Sequence, residues 1–252
     1  MCGRFSLNET PRKLVEHFDL TGELDFSPSW NIAPSARICT ITADSDGGRR
    51  LHKMRWGLIP SWAKDASIGN KLANARGETV AEKPSFRSAF KYHRCIIPAS
   101  GFYEWKTVQG VKQPWFISLK SGAPMAFAGL WENWRPDTEE ATKSCCIITT
   151  DANALMAPIH DRMPVILDRE EWATWLSPQE HRADQLLPLI RPHEADRTRR
   201  AFVAGHWLMA SPQRHHSPAE PPPRGPVGLP ERASLFDVTP PPGFTVTEPL
   251  RK

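Results

Sequence analysis

Apolar residues along the first two-thirds of the chain fall into short runs rather than helical stripes. The runs ARICTIT (36–42), LHKMRWGLI (51–59), RCIIPAS (94–100), GFYEW (101–105), PWFISLK (114–120), MAFAGLW (125–131), SCCIITT (144–150) and MPVIL (163–167) have the length and the β-branched or aromatic content of strands. Helical spacing is confined to a few places. Thr10-Pro11 followed by Leu14, Val15 and Phe18 reads as a short helix with a capping threonine and a proline in its first turn. Further helical stretches are expected near 78–91 and at 169–176, the latter opened by Asp168 and Glu171 as a capping box. Strands in series with few helices between them predict one α+β domain, not a βαβ fold: antiparallel strands forming a barrel-like core flanked by helices.

Beyond about residue 200 the pattern lapses. SPQRHHSPAEPPPRGPVGLPERASLFDVTPPPGFTVTEPLRK is rich in proline and short of apolar periodicity, so residues 2–200 are expected to form the domain and 201–252 a mostly disordered tail. His215-His216 in that tail lacks the further ligands that a metal site needs.

Composition narrows the class. No run of roughly 18 uncharged apolar residues exists to span a membrane, and Arg4, Asn8, Glu9 and Arg12 interrupt any signal-peptide core. A cytoplasmic protein is expected, without membrane partners. Cys2, Cys39, Cys95, Cys145 and Cys146 show neither CxxC spacing nor the density of a disulfide scaffold, so neither metal knuckles nor structural bridges are expected. A net charge of +4 permits a nucleic-acid partner without identifying one. Ten tryptophans stand against two tyrosines, several beside cations: Arg55-Trp56, Trp62-Ala63-Lys64, Trp105-Lys106 and Trp134-Arg135. Flat rings alternating with cations suit stacked bases and their phosphates, but the commoner reading is buried indoles with snorkelling neighbours.

Four stretches concentrate the chemistry: Cys2 itself, LANARGET with Asn74, Arg76 and Glu78, ASGFYEWK with Glu104, and APIHDRMPV with His160, Asp161 and Arg162. Removal of Met1 would give Cys2 a free α-amine beside its thiol, a 1,2-aminothiol no internal cysteine can form. A residue so near the chain end lies where domains fray and seldom serves as core packing. Glu104 stands among Phe102, Tyr103 and Trp105, where partial desolvation raises a carboxyl's pKa and keeps a proton available near neutrality. Each residue also has a plain structural reading: a surface Glu104, a hydrogen-bonded core His160, Asn74 as a helix cap, and Arg76 and Arg162 in surface ion pairs.

MCGRFSL at the N-terminus, WNIAPS (30–35), MRWGLIPSWAK (54–64), NARGET (74–79), RCIIPASGFYEW (94–105), FAGLW (127–131), ITTDAN (148–153) and IHDRMPV (159–165) together resemble the SRAP family, the SOS-response-associated peptidases, understood as abasic-site processing proteins. The resemblance runs from residue 2 to about 190. It implies a DNA-damage protein that binds single-stranded DNA and links covalently to abasic sites: an N-terminal amine condenses with the aldehyde of the opened sugar, and the thiol closes a thiazolidine. It implies catalytic roles for Cys2, Asn74, Glu104 and His160. It implies DNA contacts at Arg4, Pro34, Trp62, Arg76, Arg87, Thr149 and Arg162, with Phe86 or Phe90 as a wedge against a base step. It also implies peptidase activity, here autoproteolytic removal of Met1, and lyase-type reversal. The expected protein is a nucleoid-associated monomer that needs no cofactor or metal.

Two other classes fit the same residues: an N-terminal-nucleophile peptidase or amidase using Cys2, and a noncovalent single-strand binding module. The chain also departs from the family pattern in two places. RRAFVAGHWLMASPQRHH shows no clear equivalent of the family's last, Asn-containing strand, which would leave a core edge uncovered, and Trp62-Ala63 stands where some relatives carry two tryptophans. Small Cys2 equally suits methionine aminopeptidase, so mass spectrometry of the purified chain is expected to find Cys2 as the first residue. Retention of Met1 there removes the aminothiol and everything built on it.

Overall fold

A computed structural model describes residues 2–22, 24, 26–44, 46–180, 182–204 and 245–247. Along the chain come β1 (Arg4–Leu7), α1 (Pro11–Phe18), β2 (Ser29–Ile32), β3 (Arg37–Ala43), β4 (Arg49–Trp56), β5 (Asn74–Arg76), α2 (Arg87–Tyr92), β6 (Arg94–Ala99), β7 (Gly101–Val108), β8 (Val111–Leu119), β9 (Met125–Trp134), β10 (Thr142–Asp151), β11 (Arg162–Pro164), α3 (Trp172–Leu176), α4 (Ala183–Leu186), β12 (Thr198–Ala204) and β13 (Thr245–Thr247). All eight strand-like runs are strands, and the class is α+β as expected.

Five strands close a barrel in the order β4-β3-β6-β9-β10. Closure comes from β10, which pairs antiparallel with β9 and parallel with β4 through Ser144 opposite Arg55 and Cys145 opposite Trp56. A closed ring has no open edges, which otherwise invite association. The barrel strands are buried on both faces, which is why RCIIPAS, MAFAGLW and SCCIITT read as continuous apolar runs rather than alternating ones. Cys95, Ile97, Phe127, Cys145 and Ile147 pack with Phe5, Phe102 and Ile117 of the second sheet. Their neighbours Ile96, Ala126, Ala128, Cys146 and Ile148 pack with Leu14, Phe18, Phe90, Trp172 and Trp175 of the helices.

The second sheet has the order β13-β12-β8-β7-β1-β2. Here the expectation of an uncovered edge fails: β12 runs antiparallel along β8 from Thr198 opposite Leu119 to Phe202 opposite Trp115. The segment RRAFVA therefore covers the free side of β8, with β13 beyond it, and the expected boundary at residue 200 falls inside it. The remainder of the proline-rich tail lies outside the described residues apart from β13, so its expected disorder is not addressed.

Two helical expectations are refined. The capping box is present, with the Asp168 amide donating to Glu171 Oε2 at 2.9 Å, and a 3₁₀ turn over Arg169–Glu171 runs into α3. The stretch 78–91 is not one helix. A 3₁₀ turn over Gly77–Thr79 and the six-residue α2 are separated at Pro84, because proline and its predecessor resist continuous helix.

One buried guanidinium pins the helical layer to the barrel. Arg94, 5 % exposed, donates Nε to the Trp175 carbonyl at 2.7 Å, Nη1 to Phe90 and Lys91 at 2.8 and 2.7 Å, and Nη2 to Ser177 and Glu180, both at 2.6 Å. Five donors meet five carbonyls, the full capacity of the group. Burial pulls its pKa down to about 10, so it stays charged at neutral pH. Trp175 adds an indole bond to the Cys95 carbonyl at 2.9 Å. Arg94→Met is expected to strand those carbonyls and cost about 3 kcal/mol of stability, read as a lowered midpoint in urea denaturation; an unchanged midpoint would show that the fork is decorative.

Candidate functional site

The register of β1 against β7 assembles the site. Arg4 lies opposite Tyr103 and Phe5 opposite Phe102, so the residues before Arg4 run alongside Glu104 and Trp105. Cys2 accordingly has no exposed surface and packs among Phe5, Ile38, Met54, Trp56 and Ala73. The expectation of a frayed end is overturned: sheet pairing on both sides of β1, with β7 and with β2, holds the first residues in the core.

Asn74 reaches the same point from the barrel. β5 pairs parallel with β10, Asn74 opposite Ile147, and Trp56 steadies the approach by donating its indole N–H to the Ala73 carbonyl at 2.8 Å. Gly57, at φ +134°, lets β4 turn away: a Cβ there would lie 2.3 Å from the Gly69 carbonyl oxygen. Asn74 Nδ2 then donates to the Cys2 carbonyl at 3.0 Å, a bond across 72 residues that joins the two sheets.

Glu104 is 4 % exposed. Burial pushes its carboxyl from 4.5 up to about 7, against the pull of the N-terminal ammonium of the unprocessed chain, and Asp161 pushes it further the same way. Cys2 responds in kind: burial and then the charge of Glu104 push its thiol far above its ordinary range, opposed by the N-terminal ammonium and the Arg4 amide. At rest the sulfur holds its proton.

His160 Nδ1 lies 2.9 Å from the Arg162 amide nitrogen and 2.8 Å from Asp161 Oδ1. One ring nitrogen cannot accept from the first and donate to the second at once. The amide belongs to the fixed backbone of β11 while Asp161 is largely exposed and screened by water, so Nδ1 is assigned as acceptor and Nε2 as the protonated nitrogen. Burial, then the N-terminal ammonium, lowers the pKa of His160 and keeps the ring neutral.

Among the expected DNA contacts, Pro34, Trp62, Arg76 and Arg87 are exposed, and Arg4 is half-buried with Nη1 donating to Asn31 at 2.9 Å. Trp62 is 57 % exposed and donates Nε1 to the Pro84 carbonyl at 3.3 Å. With Ser61, Pro84, Arg87 and Ser88 it lines an open groove of about 460 Å³.

Other positions differ. Phe86 and Phe90, 5 % and 3 % exposed, form the core-facing side at the start of α2 and are not placed to wedge a base step. Thr149 is fully buried. Arg162 is committed within the protein: Nη1 and Nη2 hold Glu78 at 2.6 and 3.0 Å, Nη1 holds Asp151 at 2.7 Å, and Nη2 donates to the Thr149 carbonyl at 2.7 Å. Glu78 and Arg162 are 84 residues apart, so NARGET hinted at this clamp only through the presence of a carboxylate. The commoner reading of the tryptophans holds for Trp56 and Trp134, which are buried and donate to the Ala73 and Ala63 carbonyls. Ala63 itself faces inward against Ile59 and Trp134.

Among the described residues no helix is long and apolar enough to cross a membrane, and no cluster of His, Cys, Asp or Glu is arranged to hold a metal ion.

With this geometry in hand, comparison with known proteins is specific. The family model "SOS response associated peptidase (SRAP)" matches residues 1–205. "Abasic site processing protein YoqW" of Bacillus subtilis (strain 168) is 48% identical over 200 residues, covering 78% of this chain and 89% of that one. "Abasic site processing protein HMCES" of Xenopus tropicalis is 34% identical over 238 residues, covering 77% and 71%. A crystal structure of a Bacteroides thetaiotaomicron protein superposes with a TM-score of 0.75 at 27% identity, covering 83% and 95%.

The raised carboxyl of Glu104 carries a sign that stability measurements can read. The folded state holds this proton more tightly than the unfolded chain, so its contribution is intact below about pH 4.5 and is lost as pH rises toward about 7. Relative to Glu104→Gln, the wild type is expected to lose on the order of 3 kcal/mol across that window, with no further divergence above it. Parallel stability curves for the two proteins would remove the shift.

Proposed function

Because the chain belongs to the SRAP family, we propose that it processes abasic sites in DNA by capturing the opened sugar with the amine and thiol of Cys2, once Met1 has been removed. The observation that carries this reading is the position of Cys2: a chain end bound through its carbonyl to Asn74, with its thiol next to a carboxyl poised near neutrality.

The order of events follows from the protonation states. A buried thiol held as SH is a poor opening nucleophile, whereas an α-amine titrates at about 7.7–8.0 and is in part unprotonated near neutrality. The amine therefore attacks the sugar aldehyde first, giving a carbinolamine. Its hydroxyl leaves as water, and Glu104, half-protonated near pH 7, both takes the ammonium proton and supplies one to the departing oxygen. The thiol then adds to the imine carbon while its proton passes to the nitrogen, closing a five-membered thiazolidine. The net change is loss of one water. Because sulfur and nitrogen stand on one residue, closure is intramolecular and needs no free thiolate. His160, neutral with a proton on Nε2, suits donation to the ring oxygen as the sugar opens, and acts in the opposite sense when the link is reversed.

The same thiol speaks against the peptidase alternative, since a cysteine nucleophile for amide bonds needs a lowered pKa, not a raised one. Exposed Trp62 beside Arg87 supports single-stranded DNA as the form bound, by stacking and phosphate pairing without base readout.

Incubation of the Met1-processed protein with an abasic single strand is expected to give an adduct that survives denaturing electrophoresis, and an intact strand none. Cys2→Ala keeps the amine, so it should give a species trapped only by a borohydride reductant. Peptide turnover without any DNA adduct would instead select the peptidase reading, and equal retention of DNA by wild type and Cys2→Ala the noncovalent one.

A further inference from the structure

Trp62 lines a second groove as well. On this side, about 320 Å³ of open space is bounded by Trp62, Ala63, Lys64, Asp65, Ser67, Ile68 and Lys71. We propose that this groove is a further nucleic-acid subsite, which holds the phosphodiester backbone of the strand where it continues past Trp62, away from Arg87. The inference rests on the DNA reading above and extends it to residues outside the catalytic set.

Three features argue for a strand as the occupant. The first is continuity: one exposed indole, fixed at its Nε1 by the Pro84 carbonyl, borders both grooves, so a base stacked on it has backbone leading into each. The second is available charge. Arg162, Arg55 and Arg94 spend their terminal nitrogens on protein acceptors, whereas Lys64 and Lys71 are exposed and their ammonium groups make no ion pair among the described residues. The single carboxylate in the groove, Asp65, is already occupied: it accepts from the Ser67 amide at 2.6 Å, which holds its pKa below the usual range. Two ammonium groups against one engaged carboxylate leave a cationic lining.

The third feature is rigidity. The Ala63 carbonyl accepts from Trp134 Nε1 at 2.7 Å and the Lys64 carbonyl from Arg135 Nη2 at 2.9 Å, so the backbone carrying these residues is tied to β9 and its following turn. Arg135 in turn lies over the Trp134 ring, 4.2 Å from its centroid. A groove with fixed walls and exposed cationic tips suits a ligand whose charges repeat along a flexible chain. Lysine ammonium groups, as point charges, hold phosphates without reading bases.

The test is the salt dependence of noncovalent binding by the full chain to an intact fluorescent single strand. Each single-strand phosphate contact contributes a slope of about 0.7 in log K against log salt, so Lys64→Gln/Lys71→Gln should flatten the slope by about 1.4. Between 50 and 200 mM salt the double variant is then expected to lose about sevenfold less affinity than the wild type. Lys64→Arg/Lys71→Arg should retain the wild-type slope, and a strand shortened on the Trp62 side should make wild type and glutamine variant equal. An unchanged slope, or the same loss with the shortened strand, overturns the subsite. Adduct yield at saturating abasic strand is read separately. It should be equal in both proteins, and its absence from the wild type would sink the covalent reading while the salt slopes still decide the subsite.

Discussion

One hydrogen bond, from Asn74 Nδ2 to the Cys2 carbonyl, joins parts of the molecule that the chain keeps far apart. On one side stands the sheet in which β1 lies between β7 and β2; on the other stands the barrel, to which β5 is attached through β10. The proposed chemistry depends on these two bodies meeting at the first residues. The terminus is ordered by pairing that starts at Arg4, its carbonyl is taken by Asn74, and its sulfur is left in the apolar seam between the sheets. Burial of that seam then sets the proton inventory, raising Glu104 toward neutrality and holding the thiol protonated.

The distribution of cations follows the same division between structure and ligand. Arginines that serve the fold spend their terminal nitrogens on protein acceptors. Arg94 meets five carbonyls, Arg55 serves Ser35, Gly57 and Asn70, and Arg162 is shared between two carboxylates. A planar fork with five donors is well used where backbone oxygens converge. Cations facing the grooves beside Trp62 are left to solvent, where a polyanion can reach them. The clamp on Arg162 also orders the candidate site: its backbone amide carries His160, so the two carboxylates that hold the guanidinium hold the imidazole at one remove.

Much of this was legible in the sequence, for reasons that can be named. Barrel strands announced themselves because burial on both faces forces continuous apolar runs. β1, β2 and β5 did not, being three or four residues long and polar at alternate positions, and their pairing partners lie far along the chain. β12 was hidden by the basic residues Arg199 and Arg200, whose charge masks a strand as a tail. Phe86 and Phe90 stand four residues apart, the spacing of a helix's buried side, and that local cue outweighs any analogy that would push them outward. Cys2, Asn74, Glu104 and His160 could be nominated as candidates by residue type and by family resemblance, but not their protonation states, which arise from three-dimensional burial. The commitment of Arg162 to Glu78 could not be read at all from positions 84 residues apart.

The seating of the first residues in the core has a practical corollary for anyone handling this protein. An affinity tag or fluorescent fusion placed ahead of residue 2 would have to thread out between the two sheets, and it would acylate the very nitrogen that the proposed chemistry uses. Labels, immobilisation and partner fusions belong at the far end of the chain. A leader that must precede Cys2 in expression should be one that a protease removes without leaving a single extra atom.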